Sequence, residues 1–138
     1  ITIDYLTLMR MPEAGSRALS VGEATRVIKL LAKELKTPIL LLSQLNREAD
    51  KALREPRPSD LRDSGAIEQD ADVIIFPYRE EVHKEDSVNK GIAKIIKAKV
   101  RNGDVGNSVL KFEMGAFYET GDFWQEQPKE QPRERKKF

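Results

Sequence analysis

The order of the apolar segments near the start of the chain is the feature that most constrains the fold. Residues 1–6 (ITIDYL) are mostly apolar and β-branched, which is typical of a strand covered on both faces. Residues 22–36 carry apolar side chains at helical spacing, and residues 39–42 (ILLL) form a second short apolar run. A strand, helix, strand order is the pattern of a βαβ unit, so the sequence predicts an α/β fold with a mostly parallel sheet flanked by helices.

Shorter elements are predicted beyond this unit. They are a helix within 61–70, a strand at 73–76, a charged surface loop at 80–89, strands near 92–100 and 109–112, and a last short strand at Phe117 and Tyr118. The strands near 92–100 and 109–112 flank the segment RNGDVG, and an Asn-Gly pair between strands predicts a C-terminal β-hairpin. We therefore predict one domain over residues 1–122 and a disordered polar tail over 123–138, which has almost nothing apolar to bury.

Composition excludes several classes of site and leaves nucleic-acid binding open. The 138 residues contain no Cys and one His, which rules out disulfides and thiolate metal sites and argues against a histidine-rich site. The formal net charge of +1 neither supports nor opposes a nucleic-acid partner. No apolar run approaches the roughly 20 residues of a membrane-spanning helix, so we expect a cytosolic protein with no membrane partner.

Polar residues stand at the predicted carboxyl ends of the strands, where open α/β sheets bind their ligands. Asp4 follows an apolar strand, which is the pattern of a Walker B carboxylate that holds Mg²⁺ directly or through the water shell of the metal. An Asp that caps a loop is the alternative. Gln44, at the end of the second strand, could orient a water molecule or sense a γ-phosphate, or it could bond to a neighbouring loop.

A candidate phosphate-binding segment lies between the second and third strands. Arg62, with the backbone N–H groups around Ser64 and Gly65, could grip a phosphodiester backbone without reading its bases. A helix start capped by Ser59 or Asp60 is the competing interpretation, and both can hold at once.

A second group of cations precedes the hairpin turn. Lys97, Lys99 and Arg101 occupy alternate positions of the strand, so we expect all three side chains on one face. Charges that protect a solvated edge strand from aggregation are the alternative interpretation. A phosphate-binding site would favour Arg at the tip, where Arg101 stands.

Four segments in this order resemble the C-terminal part of a DnaB-type replicative helicase, a hexameric RecA-like motor. They are IDYLTLM, LLSQLNR, SDLRDSGAIEQDADVIIFPYR and AKVRNGDVG, and the resemblance runs from Ile1 to about Tyr118. It implies a partial RecA-like P-loop NTPase core, ATP and Mg²⁺ as cofactors, single-stranded DNA as a partner, and a homo-hexamer in the complete protein. It also implies primase and a helicase loader as partners, and action at a bacterial or phage replication fork in the cytoplasm.

The resemblance implies roles for residues around the nucleotide. Asp4 resembles the Mg²⁺-associated Walker B acid, and Gln44 resembles the residue that couples the γ-phosphate to the DNA loops. Lys99 and Arg101 match the pair that reaches into the ATP site of the neighbouring subunit. The resemblance implies that Arg101 is the arginine finger of that pair.

The resemblance also implies a DNA loop, and this chain departs from the family at two places. Arg62, Asp63 and Gly65 match the loop that tracks the single-strand backbone, although the family usually has Glu where this chain has Asp63. In AKVRNGDVG, the family usually has Gln before the Arg and Pro after the Gly. Neither change touches Lys99 or Arg101.

One motif that the family requires for ATP hydrolysis is missing. The sequence contains no G-x-x-x-x-G-K-[ST] P-loop, the element that cradles the phosphates. We therefore expect a helicase piece that is inactive alone, whether a cloned or proteolysed fragment, a C-terminal extein or a split-gene product. The alternatives are a RecA-like recombinase or circadian-clock relative, and a stand-alone non-catalytic module that binds nucleic acid or a partner protein.

Overall fold

The computed structural model describes residues 1–9, 15–46, 49, 54–61 and 64–126. In chain order, its strands and longer helices are β1 (Thr2–Ile3), α1 (Arg17–Glu34), β2 (Leu40–Leu41), α2 (Ser64–Asp70), β3 (Val73–Tyr78), β4 (Ile92–Val100), β5 (Gly106–Glu113) and β6 (Ala116–Glu119). Short 3₁₀ turns cover Leu6–Leu8, Pro58–Asp60 and Glu80–Val82. The predicted βαβ unit is present, because β1 pairs in parallel with β2 and α1 lies between them in the chain.

Helix α1 begins at Arg17, earlier than the predicted start. The Ser16 hydroxyl caps it by accepting a hydrogen bond from the Leu19 backbone N–H at 3.3 Å. Gly22 lies inside the helix, and a Cβ added to it would stand 3.2 Å from the Ala66 Cβ in α2. The glycine therefore lets the two helices approach closely.

The larger sheet is antiparallel, with the strand order β3-β4-β5-β6. The predicted hairpin is formed by β4 and β5, and the predicted last strand is β6. In the described ranges, parallel pairing is thus confined to β1 and β2, whereas the sequence predicted a mostly parallel sheet. The connections explain the difference for β4, β5 and β6, because these strands follow one another through short turns and a parallel pair needs a crossover of a dozen or more residues.

The charged segment at 80–89 is a surface connection, as the sequence predicted, but three of its polar side chains are buried. Glu80, Ser87 and Asn89 are buried, and the Ser87 hydroxyl and Asn89 amide donate to the Glu80 carboxylate at 2.8 and 2.9 Å. Burial by itself would raise the pKa of Glu80, but hydrogen bonds from Asn89, Ser87 and Lys84 hold that pKa below its usual value. The sequence alone does not distinguish a charged loop that packs around a buried, hydrogen-bonded carboxylate from one whose charges are all exposed to solvent.

The hydrophobic core lies between α1, α2 and one face of β3. Its buried side chains are Leu6, Val21, Ala24, Leu61, Ile67, Ile74 and Phe76. Buried and exposed residues alternate along β3, as expected for a strand with one covered face. Two core residues stand beside predicted site residues, since Leu6 closely follows Asp4 and Leu61 directly precedes Arg62. Packing of Leu6 and Leu61 in the core therefore fixes the chain next to Asp4 and just before Arg62.

Two features concern the ends of the predicted domain. No helix in the described part of the chain is long and apolar enough to cross a membrane. Beyond residue 122, the Trp124 ring lies 5.9 Å from the Tyr78 ring, and Gln125 exchanges hydrogen bonds with the Asn89 side chain. Residues 127–138 lie outside the described residues, so the domain boundary and the disordered tail stay predictions.

Candidate functional site

Asp4 and Gln44 lie at the same edge of the parallel pair. The Leu42 N–H donates to the Ile3 carbonyl at 3.0 Å and the Leu6 N–H donates to the Leu42 carbonyl at 2.9 Å, which continues the pairing past the strand ends. Asp4 comes directly after β1 and Gln44 shortly after β2, and both residues are exposed. Because α/β sheets bind ligands beyond the carboxyl ends of neighbouring parallel strands, the geometry is compatible with one shared site.

The donors at this edge fit Mg²⁺, the metal that the resemblance implies. Within the described residues, no group of three or more His, Cys, Asp or Glu side chains could hold a metal ion by itself. Mg²⁺ is commonly bound by one or two carboxylates together with water and substrate phosphates. The exposed Asp4 carboxylate is therefore the kind of ligand that Mg²⁺ takes.

The segment after β2 pairs with the segment that leads into the predicted DNA loop. Leu45 and Leu61 form an antiparallel β-bridge. Gln44 directly precedes Leu45 in the sequence, and Arg62 directly follows Leu61. Arg62 and Asp63 themselves lie outside the described residues. Gln44, the predicted γ-phosphate sensor, and Arg62, the first residue of the predicted loop, are therefore sequence neighbours of the two bridged residues.

Asp60 fastens this segment, and sequence reasoning did not identify it as a functional residue. Its buried carboxylate accepts hydrogen bonds from Arg54 Nη1 and Nη2 at 2.7 and 2.8 Å and from the Arg57 backbone N–H at 2.8 Å. The bonds from Arg54 hold the pKa of Asp60 below its usual value despite burial. The carboxylate thus binds the Arg54 side chain and the Arg57 backbone of its own segment, and the sequence signal for it is an arginine shortly before a Pro-Ser-Asp turn.

Gly65 lies near the start of α2, and its backbone is exposed. A Cβ added there would meet no atom within 4 Å, and the residue is not in the left-handed region. A glycine inside a helix costs about 0.5–1 kcal/mol relative to alanine. Neither backbone geometry nor packing in the described residues requires a glycine at this position.

Lys99 and Arg101 both bind the carboxyl end of α2. Lys99 Nζ donates to the Glu68 carbonyl, and Arg101 Nη2 donates to the Gln69 carbonyl at 2.9 Å. The last carbonyls of a helix lack intrahelical donors and carry partial negative charge, so cations are favoured there. The structure thus brings these two predicted site residues together, at the opposite end of α2 from Gly65.

Asp72 completes the surroundings of Arg101. Arg101 Nε lies 3.1 Å from Asp72 Oδ1, and the Arg101 backbone N–H donates to the Asp72 carbonyl at 2.8 Å. The hydrogen bond from Lys29 of α1, together with the charge of Arg101, holds the pKa of Asp72 below its usual value. Both side chains of the Arg101–Asp72 pair are about half exposed, so the pair can open at a cost of about 0–1 kcal/mol.

The prediction that Lys97, Lys99 and Arg101 share one face of the strand is wrong. A register shift places Lys99 opposite Ile74 and Lys97 opposite Ile75. Ile74 is buried whereas Ile75 is half exposed, and directly opposed residues share a face, so Lys97 and Lys99 lie on opposite faces of the sheet. A β-bulge interrupts the alternation of a strand by inserting an extra residue, which a sequence pattern does not reveal.

Comparisons with known sequences agree with one another. The family model described as "DnaB-like helicase C terminal domain" matches residues 1–118. The chain is 53% identical over 114 residues to the replicative DNA helicase DnaB of Pasteurella multocida (strain Pm70), and 45% identical over 115 residues to that of Geobacillus stearothermophilus. These alignments cover 81% of this chain but 24% and 25% of the relatives, so the chain spans about a quarter of the curated relatives that it matches.

Solved structures agree with the sequence comparisons. One solved structure, described as an ATPase domain, matches with a TM-score of 0.80 and 40% identity, covering 86% of this chain and 43% of that chain. A DnaB-like replicative helicase, described with its interactions with primase, also matches with a TM-score of 0.80 and 40% identity, covering 85% of this chain and 29% of that chain. The predicted RecA-like α/β fold class is confirmed by these neighbours. The chain belongs to the DnaB-like helicase family, as a C-terminal piece of its ATPase domain.

Proposed function

We propose that this chain is part of the motor of a replicative DNA helicase, which couples ATP hydrolysis to movement along single-stranded DNA and to duplex unwinding. The observation that carries the proposal is the bridge between Leu45 and Leu61. It joins the neighbour of Gln44, the proposed γ-phosphate sensor, to the neighbour of Arg62, in the proposed DNA loop. A motor needs such a link, because each nucleotide state has to favour a different arrangement of the DNA-binding loop.

In the proposed nucleotide site, Asp4 holds Mg²⁺ through its water shell, and Gln44 on the same edge contacts the γ-phosphate. Mg²⁺ supplies charge neutralisation on the phosphate oxygens when it is bound. Lys99 and Arg101 act on ATP in the neighbouring subunit of a homo-hexamer. Their shared attachment to α2 and the half exposure of Arg101 support this assignment, because a residue acting in trans has to stay accessible to a second subunit.

In the proposed DNA site, Arg62, Asp63 and Gly65 track the backbone of the single strand. The surroundings of Gly65 support an external contact, because nothing among the described residues requires a glycine there. A close approach of a phosphate backbone is one reason for a chain to keep a glycine on an exposed helix start. The contact would be independent of base sequence, as expected for a motor that moves along any sequence.

The partners and place of action follow from the same proposal. One structural neighbour is described as a replicative helicase with primase interactions, which supports primase as a partner of the complete protein. A helicase loader is a further proposed partner, and the proposed location is the replication fork in the cytoplasm of a bacterium or a phage-infected cell.

The proposal is tested by comparing the full-length protein with the 138-residue chain. We expect the full-length protein to unwind a forked duplex with ATP and Mg²⁺, and not with a non-hydrolysable ATP analogue. The chain alone should not hydrolyse ATP, because its sequence contains no P-loop amides and lysine to hold the phosphates. ATP turnover above background by the purified chain would contradict the proposal. A full-length protein that binds DNA but never unwinds it would also contradict it, and would favour a stand-alone binding module.

The DNA loop assignment makes a separate prediction. In the full-length protein, Arg62→Ala should weaken single-strand binding similarly for all base sequences. Loss of one phosphate contact should reduce the slope of log affinity against log salt by roughly 0.7. Arg26→Ala, which alters an exposed arginine of α1, serves as the control and should leave the slope unchanged. An Arg62→Ala protein that lost ATP binding but kept its DNA affinity would show that the loop is wrongly assigned.

A further inference from the structure

We propose that Asp60 is a positioning residue that makes the DNA loop respond to the bound nucleotide. This role rests on the proposed function, in which a signal passes from Gln44 to the loop that begins at Arg62. Asp60 would touch neither nucleotide nor DNA. It would determine how strongly nucleotide binding near Gln44 changes the affinity of the loop for DNA.

Two adjacent pairings join the segment after β2 to the segment before the loop. Leu45 bridges to Leu61, and the Asn46 N–H donates to the Asp60 carbonyl at 2.8 Å. Together they form a short antiparallel contact that holds the two segments in register. A displacement at Gln44 therefore reaches Leu61 through directly paired backbone, with no flexible side chain in between.

The Asp60 side chain fixes the conformation of the segment that carries Leu61. The residue is 5% exposed, and its carboxylate accepts two hydrogen bonds from Arg54 and one from the Arg57 N–H. A buried carboxylate with a bidentate arginine is held in one geometry, because breaking the pair leaves an uncompensated buried charge. The backbone around Asp60 therefore cannot change its conformation without losing these bonds.

The clamp of Arg54 and Asp60 is also tied to the antiparallel sheet. Arg54 Nη1 donates to the Glu55 carbonyl at 2.9 Å, and the Glu55 carboxylate pairs with Lys94 of β4 at 2.5 Å. Lys94 is buried, and its Nζ lies 4.6 Å from the centre of the Trp124 ring. The start of the 54–61 segment is thus attached to β4 through Glu55. A displacement of residues 44–46 after β2 would therefore move mainly the other end of the segment, where the loop begins.

The test measures coupling in the full-length protein. Binding of a fluorescent oligo-dT strand is titrated with and without a non-hydrolysable ATP analogue, and the ratio of the two dissociation constants is the coupling factor. In Asp60→Asn and in Arg54→Gln, this ratio should move toward one by about fivefold or more, the lower end of typical coupling factors. The control is Asp86→Asn, which changes an exposed carboxylate and should keep the wild-type ratio.

The ratio of the two dissociation constants distinguishes a positioning role of Asp60 from a role in stability alone. A permanently inactive fraction of the protein lowers the number of binding sites in both titrations alike, so it leaves the ratio unchanged. Wild-type ratios in both variants would overturn the positioning role, even if both variants were less stable. A wild-type ratio of one with strong DNA binding would overturn the proposed function and this role with it. If Asp60→Asn does not fold, Arg54→Gln decides alone, since its guanidinium sits at the partly exposed side of the clamp.

Discussion

Replacing Arg101 with alanine in the full-length protein should lower ATP turnover by about 10³- to 10⁵-fold, the range typical of arginine fingers. This loss corresponds to roughly 4–7 kcal/mol of transition-state stabilisation. Arg101→Lys should also be damaging, because a planar guanidinium stabilises charge spread over several phosphoryl oxygens better than an ammonium does. If Arg101 served only its half-exposed pair with Asp72, Arg101→Ala would lower the free energy of unfolding by about 0–1 kcal/mol and would leave ATP turnover nearly unchanged.

A matched control and a mixing experiment distinguish these two roles. Lys111→Ala removes a cation whose ion pair with Glu113 is as exposed as that of Arg101 with Asp72, and it should leave turnover nearly unchanged. Arg101→Ala subunits should regain some ATPase activity when mixed with subunits disabled in the P-loop, because an intact finger then meets an intact P-loop in the neighbouring subunit. Near-normal turnover of Arg101→Ala alone would rule out the finger.

Replacing Phe76 with alanine should lower the free energy of unfolding by about 3–5 kcal/mol, because Phe76 fills the core between β3 and the two helices. The same truncation at Ile75, its half-exposed neighbour on the other face of β3, should cost about 1 kcal/mol or less. Urea denaturation of the 138-residue chain, followed by circular dichroism, compares the two midpoints. Equal losses at both positions would show that the two faces of β3 are not packed differently.

Elements with strong local signals could be predicted from the sequence. The strands around Ile3 and Leu41 were recognised because short apolar runs flank an amphipathic helix, and the hairpin because Asn102-Gly103 separates two strand patterns. The early start of α1 was missed. The added first turns bury Ser20 and Val21, and Val21 packs in the core with residues of distant segments, which leave no periodic signal near the helix start.

The arrangement of charges was the least predictable property. Lys97 and Lys99 were expected on one face, and a bulge in β4 separates them. Glu80 was expected in a surface loop and Asp60 was considered as a helix cap, yet both are buried with several hydrogen-bond donors. A buried charge is tolerated only when its partners are in place, and those partners cannot be identified before the chain is folded.

By itself, the sequence determined the family, the order of most elements and a set of candidate residues for ATP and DNA, because these follow from local patterns and from the spacing of motifs. Only the tertiary structure decided which of these residues meet. It placed Lys99 and Arg101 on the end of α2, and it paired Asp60 with Arg54 beside the bridge between Leu45 and Leu61. Contacts between distant segments depend on how side chains pack and how buried charges are paired, and neither has a fixed spacing in the sequence.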